Sequence, residues 1–230
     1  MTNKYKKIAI IVAGGSGTRM GSCLPKQFLL LKGKPLLWHS IKAFTDAYKN
    51  IKIVLVLPKE YFDKGEEIIK EFNTEIIIVE GGETRFHSVQ NGLQYVNDNK
   101  AIVGVHDAVR CLLTVDLIKK CYDKAIEKGN AVPAVAATDS LRIIKDEKNK
   151  IIDRNNVRII QTPQAFKAHI LLTAFRLPYK ESFTDEASVV EASGNEIFLI
   201  EGEYNNIKIT RPIDLIIAEK IMNDREKTIV

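Results

Sequence analysis

Short runs of apolar, largely β-branched residues recur along the chain at Ile8 to Ala13, Ile51 to Leu57, Ile76 to Val79, Ile102 to His106 and Ala131 to Ala136. Runs of this length without polar alternation predict strands buried on both faces. Between them, Leu36 to Phe44, Tyr61 to Phe72, Phe86 to Val96 and Val115 to Ile126 carry apolar residues three and four apart, the spacing of a helix with one face on a core. Strand and helix alternate, which predicts an α/β fold: a single Rossmann-like, mostly parallel sheet with flanking helices. After Ala137 the rhythm breaks. Ser140 to Ile144, the polar DEKNK turn at 146–150, and Ile151 with Ile152 read as a β-hairpin. It forms a projecting arm at about 138–160, too polar to be core and suited to a dimer contact or a lid. The alternation then resumes with helices near Lys167 to Phe175 and Asp185 to Ala192, strands at Ile197 to Ile200 and Ile207 to Thr210, and a closing helix from Pro212. Proline fits the first turn of a helix.

Composition fits one domain over residues 1–230 with the arm as an appendage, because 230 residues that are 45% hydrophobic can bury a full core. The net charge of +5, from 34 Lys and Arg against 29 Asp and Glu, is spread without a dense block. That favours small anionic ligands over a nucleic-acid surface. Cys23, Cys111 and Cys121 are odd in number, far apart and without metal-ligand spacing, which points to a reducing cytoplasm. The apolar stretch after MTNKYKK is too short for a signal sequence, and no run approaches the ~18 residues of a membrane span.

The chemistry concentrates where strands end. AGGSGTRMG and LPKQF follow the first strand, so Gly14, Gly15 and Gly17 let the backbone approach a polyphosphate. A tight strand-to-helix turn would use the same glycines. There is no Gly-Lys-Ser/Thr ending of a P-loop, and the second strand ends Leu57-Pro58 without the acid that holds a dinucleotide ribose. Arg19 and Lys26 follow instead, two cations suited to phosphates and to the charge that grows on them during transfer. GGETRFHSVQNGL at 81–93 puts two glycines at a strand end and opens a helix with Arg85 and Ser88 in its first turns. VHDAVR at 105–110 ends a buried strand with an acid, the place where open α/β sheets bind ligands. Asp107 there is a natural Mg2+ ligand, since magnesium takes one or two carboxylates plus phosphate oxygens; capping the next helix is the alternative. TDEASVVEASG at 184–194 reads as an N-capped helix with a glycine stop and a structural role. The four histidines make no ligand pattern, and Trp38 with the phenylalanines at helical spacing belongs to the core.

The run AGGSGTRMGSCLPKQF resembles the signature of the 2-C-methyl-D-erythritol 4-phosphate cytidylyltransferase family and of its relatives that cytidylate ribitol phosphate, and five further segments through residue 220 agree. The resemblance implies a nucleotidyltransferase fold of the GT-A-like kind. It implies that the backbone of Ala13, Gly14, Gly15 and Gly17 holds the nucleotide, and that Arg19 and Lys26 stabilise the transition state. Gly81, Gly82 and Ser88 face the cytosine, and Asp107, with Ala108 beside it, meets the nucleotide and its Mg2+ while Arg110 orients the acid. In the same way it carries Ser140 and Arg154 to the substrate phosphate in the partner subunit's site, and Lys208 to the same phosphate. Three positions depart from the pattern: Cys111 stands for a frequent proline, Ser140 for a frequent threonine, and Asn205 for a frequent acid.

A phosphate monoester oxygen is already an anion near neutral pH, so CMP transfer from CTP needs no general base; it needs cations that bring two anions together. Arg19, Lys26, Asp107, Arg154 and Lys208 answer that need. The expected reaction takes CTP and 2-C-methyl-D-erythritol 4-phosphate to 4-diphosphocytidyl-2-C-methyl-D-erythritol and pyrophosphate, a step toward isoprenoid precursors, in a homodimer joined through the arm. D-ribitol 5-phosphate as acceptor, a nucleotide-binding regulator without catalysis, and a nicotinamide oxidoreductase are the alternatives.

Overall fold

A computed structural model describes residues 5–14 and 24–228. The first strand, β1 (Lys7–Val12), sends Ile8 and Ile10 to one face of a sheet and Ala9 and Ile11 to the other, and all four are buried. This is why the run is apolar throughout: both faces of the sheet are covered. A small ladder, β2 (Leu30–Leu31) with β3 (Lys34–Pro35), leads into α1 (Leu36–Ala47). Then come β4 (Lys52–Leu57), α2 (Phe62–Ile69), β5 (Ile76–Glu80), α3 (Arg85–Leu93), β6 (Ile102–Asp107), α4 (Val115–Lys128) and β7 (Asn130–Ala136). Leu37, Ile41 and Phe44 of α1, Ile68 of α2 and Leu117, Ile118 and Tyr122 of α4 pack on one face. Phe86, Val89 and Leu93 of α3 pack on the other.

The arm is β8 (Leu141–Lys145) paired with β9 (Lys148–Ile152). Its turn is tighter than the DEKNK reading: only Asp146 and Glu147 lie outside the strands, with φ of 50° and 60°. Two consecutive residues of positive φ are what a two-residue hairpin turn requires. Ile143, Ile144 and Ile151 stand 53%, 76% and 74% exposed on this isolated ladder. Next come β10 (Arg158–Ile160) and β11 (Gln164–Lys167), then α5 (Ala168–Ala174), α6 (Glu186–Ala192), β12 (Leu199–Glu201) and α7 (Pro212–Thr228).

The sheet order is β10-β7-β11-β6-β1-β4-β5, with β12 off this path and paired to β7. β1 is parallel to both β4 and β6, β4 to β5, and β12 to β7, whereas β10 and β11 run antiparallel to their neighbours. The sheet is therefore mostly parallel, as the alternation predicts. The chain leaves β1 toward β4 and β5, then returns across it to β6. The crevice outside the carboxyl ends of β1 and β6 lies at this reversal, the place where such sheets bind ligands. The expected strand at 207–210 is instead an extended segment outside the sheet, held where the Ile209 amide donates to the Val109 carbonyl at 3.0 Å. Ile209 packs with Val109, Cys111, Leu112 and Ala218 in a third apolar cluster under α7.

Candidate active site

A pocket of about 300 Å³ opens in that crevice. Val12, Ala13 and Gly14 form one wall, Lys26 and Gln27 the rim, Gly82 to Arg85 with Ser88 the opposite wall, and Asp107, Val109 and Lys208 the rest. Local chemistry fixes each wall. The Ala13 amide donates to Val56 at 2.9 Å and its carbonyl accepts from the buried Gln27 Nε2 at 2.5 Å, so the start of the glycine loop is pinned on both sides. Across the pocket, the Gly81 amide donates to Leu57 at 2.8 Å, and Ser88 Oγ accepts from the Gly82 amide at 3.1 Å. A Cβ on Gly82 would run into His87, so only glycine lets this turn lie against α3. Thr84 caps α3 by accepting from the His87 amide.

Asp107 ends β6 with its side chain 11% exposed. Its amide donates to Thr162 Oγ1 at 3.1 Å. Burial alone would push its carboxyl up, but Arg85 and then Lys208 outweigh burial and hold it well below the ordinary 3.8, so it is an anion. Arg85 Nε and Nη2 reach Oδ1 at 3.2 and 3.1 Å, and Lys208 Nζ reaches Oδ2 at 2.7 Å. Behind Arg85 lies Glu186, fully buried at the start of α6, which accepts from Nη2 at 3.1 Å and also from Nη1. The neighbouring His106 is fully buried, its Nδ1 2.9 Å from Thr162 Oγ1, and burial brings its pKa down to about 3.

Of the residues singled out in the sequence, the pocket gathers Ala13, Gly14, Lys26, Gly82, Ser88, Asp107 and Lys208. Gly81 stands directly behind Ser88, where a Cβ would lie 3.3 Å from its Oγ. Ala108 is fully buried beneath the floor, its amide on Val12 at 3.0 Å and its carbonyl accepting from Ser40 Oγ at 2.7 Å. Ser140 and Arg154 lie on the exposed arm, Arg154 Nη1 on the Thr138 carbonyl at 2.6 Å, and neither lines the pocket within this chain. Gly15, Gly17 and Arg19 lie outside the described residues. One expectation changes: the Arg110 guanidinium does not bond the Asp107 carboxylate, and only its backbone amide reaches Asp107, donating to the carbonyl at 2.9 Å. The Arg110 side chain donates to the Asn206 carbonyl at 2.8 Å and to Ile160 at 3.3 Å, so it ties down the segment that carries Lys208. The guanidinium on Asp107 is Arg85. Cys111 is buried in the third cluster, its thiol pushed up by burial to about 12, and packs as a small apolar residue.

The model of the IspD family, 2-C-methyl-D-erythritol 4-phosphate cytidylyltransferase, matches residues 7–224. The chain belongs to this family. A 2-C-methyl-D-erythritol 4-phosphate cytidylyltransferase of Bacteroides thetaiotaomicron is 43% identical over 219 residues, covering 94% of this chain and 100% of the relative. Among solved structures, a 4-diphosphocytidyl-2C-methyl-D-erythritol synthase from Anaerococcus prevotii superposes with TM-score 0.83 at 27% identity, over 95% of this chain and 96% of that one. The Thermus thermophilus cytidylyltransferase superposes with TM-score 0.73 at 29% identity, over 93% of this chain and 98% of its own. The IspD fold is thus that of this chain, which belongs to a family of nucleotidyltransferases. No helix among the described residues is long and apolar enough to cross a membrane.

Proposed function

We propose that this chain transfers CMP from CTP to 2-C-methyl-D-erythritol 4-phosphate, releasing pyrophosphate. The observation that carries the reading, beside family membership, is the cluster at the crevice: one buried carboxylate, Asp107, faces the pocket between Lys208 and the wall that Lys26 rims, with the exposed Glu83 also in the lining. The Gly81–Gly82 turn pinned by Ser88 offers fixed backbone groups to a base edge, and Gly14 after β1 with Lys26 offers backbone and charge to phosphates. Asp107 is a hard oxygen donor whose Oδ2, among the described residues, is held by the partly exposed Lys208, so it fits Mg2+ shared with phosphate oxygens. Magnesium bound there would neutralise charge on the triphosphate. Lys26 would bind the phosphates as charge develops on them, and Lys208 would align the attacking phosphate with the α-phosphorus.

The second subunit belongs to the same proposal. An isolated two-stranded ladder is marginal in water, and this one exposes three isoleucines, so a partner that covers it stabilises both. In a two-fold dimer the arm would carry Ser140 and Arg154 to the substrate phosphate in the partner's pocket. The buried free thiols Cys111 and Cys121 suit a reducing cytoplasm. A coupled pyrophosphate assay tests the activity: release with CTP and Mg2+ must depend on 2-C-methyl-D-erythritol 4-phosphate. Binding of CTP without release with any acceptor would instead favour a regulator.

A further inference from the structure

Glu186 is among the most deeply buried charged groups described, with 0% of its surface exposed. No substrate group can reach it, and α6 needs no acid there, because Asp185 already caps that helix by accepting from the Ser188 amide. What Glu186 does is occupy Arg85. The guanidinium places Nη1 and Nη2 on Glu186, and Nε and Nη2 on Asp107, so all three nitrogens are engaged. Both bonds to Asp107 fall on Oδ1. An arginine paired with one carboxylate alone frequently takes both oxygens in a fork. Here Glu186 holds Nη1 elsewhere, and Oδ2 is left to Lys208, whose side chain is 41% exposed and can move. Asp107, Glu186, Arg85 and Lys208 sum to no net charge; without Glu186 the same group carries +1, which repels a cation.

We propose that Glu186 is a positioning residue for the transfer: by holding half of the Arg85 guanidinium it confines Arg85 to Oδ1 of Asp107 and keeps Oδ2 open to the pocket. Oδ2 can then exchange Lys208 for a divalent cation arriving with the nucleotide phosphates, and the freed Lys208 turns to the incoming phosphate. The inference rests on the reading of Asp107 as the cation ligand.

Binding of Mn2+ to the whole protein in the presence of CTP, read from the loss of the free-ion electron paramagnetic resonance signal, tests both levels. Asp107→Asn should abolish protein-dependent Mn2+ binding; retained binding overturns the ligand reading and this inference with it. With that control satisfied, Glu186→Gln should weaken Mn2+ binding by about tenfold or more. Metal-free CTP should bind no more weakly than to the unmodified protein. In an Arg85→Gln background the same Glu186→Gln change should alter the Mn2+ Kd by less than about threefold, because Glu186 acts through Arg85. A merely structural Glu186 would lower melting temperature and metal-free CTP affinity together and keep its effect without Arg85; that result, or an unchanged Mn2+ Kd in Glu186→Gln, overturns the proposal. Arg85→Lys guards against a failure to fold: it keeps the charge balance but cannot span two carboxylates. It should also change the Mn2+ Kd about tenfold, and an unchanged value overturns the proposal on its own.

Discussion

Lys26 lines the pocket mouth while its neighbours Gln27 and Phe28 are buried, so the ammonium can be removed with little loss of packing. Removing one such contact, made mainly in the transition state, costs about 3 kcal/mol, so Lys26→Ala should lower kcat by about a hundredfold or more. The melting temperature should stay near that of the unmodified protein; retained turnover, or unfolding, would make the residue structural. His106 makes a prediction about stability. Its ordinary value of 6.5 falls to about 3 on folding, so the unfolded chain binds a proton that the folded one refuses. A depressed folded value means stability fully present above about pH 6.5 and lost as pH falls toward 3. Between pH 7.5 and 5 this amounts to about 2 kcal/mol. In urea titrations the unfolding free energies of the unmodified protein and of His106→Asn should therefore converge by about that amount over this interval, and a constant gap would contradict the burial argument. At this scale the motif residues were legible because they stand in contiguous strings that resemble the family's signature, whereas the glycines alone would equally serve a tight turn. Arg85 and Glu186 were not: 101 positions separate them, and each looks like an ordinary first-turn residue until α3 and α6 meet on one face of the sheet.

Among the elements, β1, β4, β5, β6 and β7 could be read from their apolar runs because both faces of the sheet are covered. β10 and β11 escaped the pattern. Three and four residues long, they straddle Gln161 to Pro163, whose polar side chains are wanted: Thr162 for His106 and the Asp107 amide, Gln161 for Glu203. The segment at 207–210 shows the opposite error, since its apolar alternation reflects packing under α7 and not a ladder. The arm was visible from its polarity, but its three exposed isoleucines are the stronger ground for the proposed second subunit. Lys26→Ala and Arg154→Ala proteins should each be nearly inactive. A mixed dimer holds one site with both defects and one with neither. With random exchange, half the dimers are mixed and half their sites intact, so co-refolding should restore about a quarter of full activity. No recovery from a demonstrably mixed dimer would place Arg154 outside the partner's site.

For the molecule as a whole, the fold explains why one crevice collects the chemistry. The strand order reverses at β1, and Ala13 and Gly14, the Ser88-pinned turn, Asp107 and Lys208 all reach the crevice from separate parts of the chain. The function turns on which acceptor this crevice serves. The direct measurement is a competition: limiting CTP with Mg2+ and equal concentrations of 2-C-methyl-D-erythritol 4-phosphate and D-ribitol 5-phosphate in one vessel, with both diphosphocytidyl products counted by mass spectrometry. Their ratio reads the ratio of kcat/KM for the two acceptors. 4-Diphosphocytidyl-2-C-methyl-D-erythritol should be in excess by about a hundredfold or more; an excess of the ribitol product, or neither product, would contradict the proposed function.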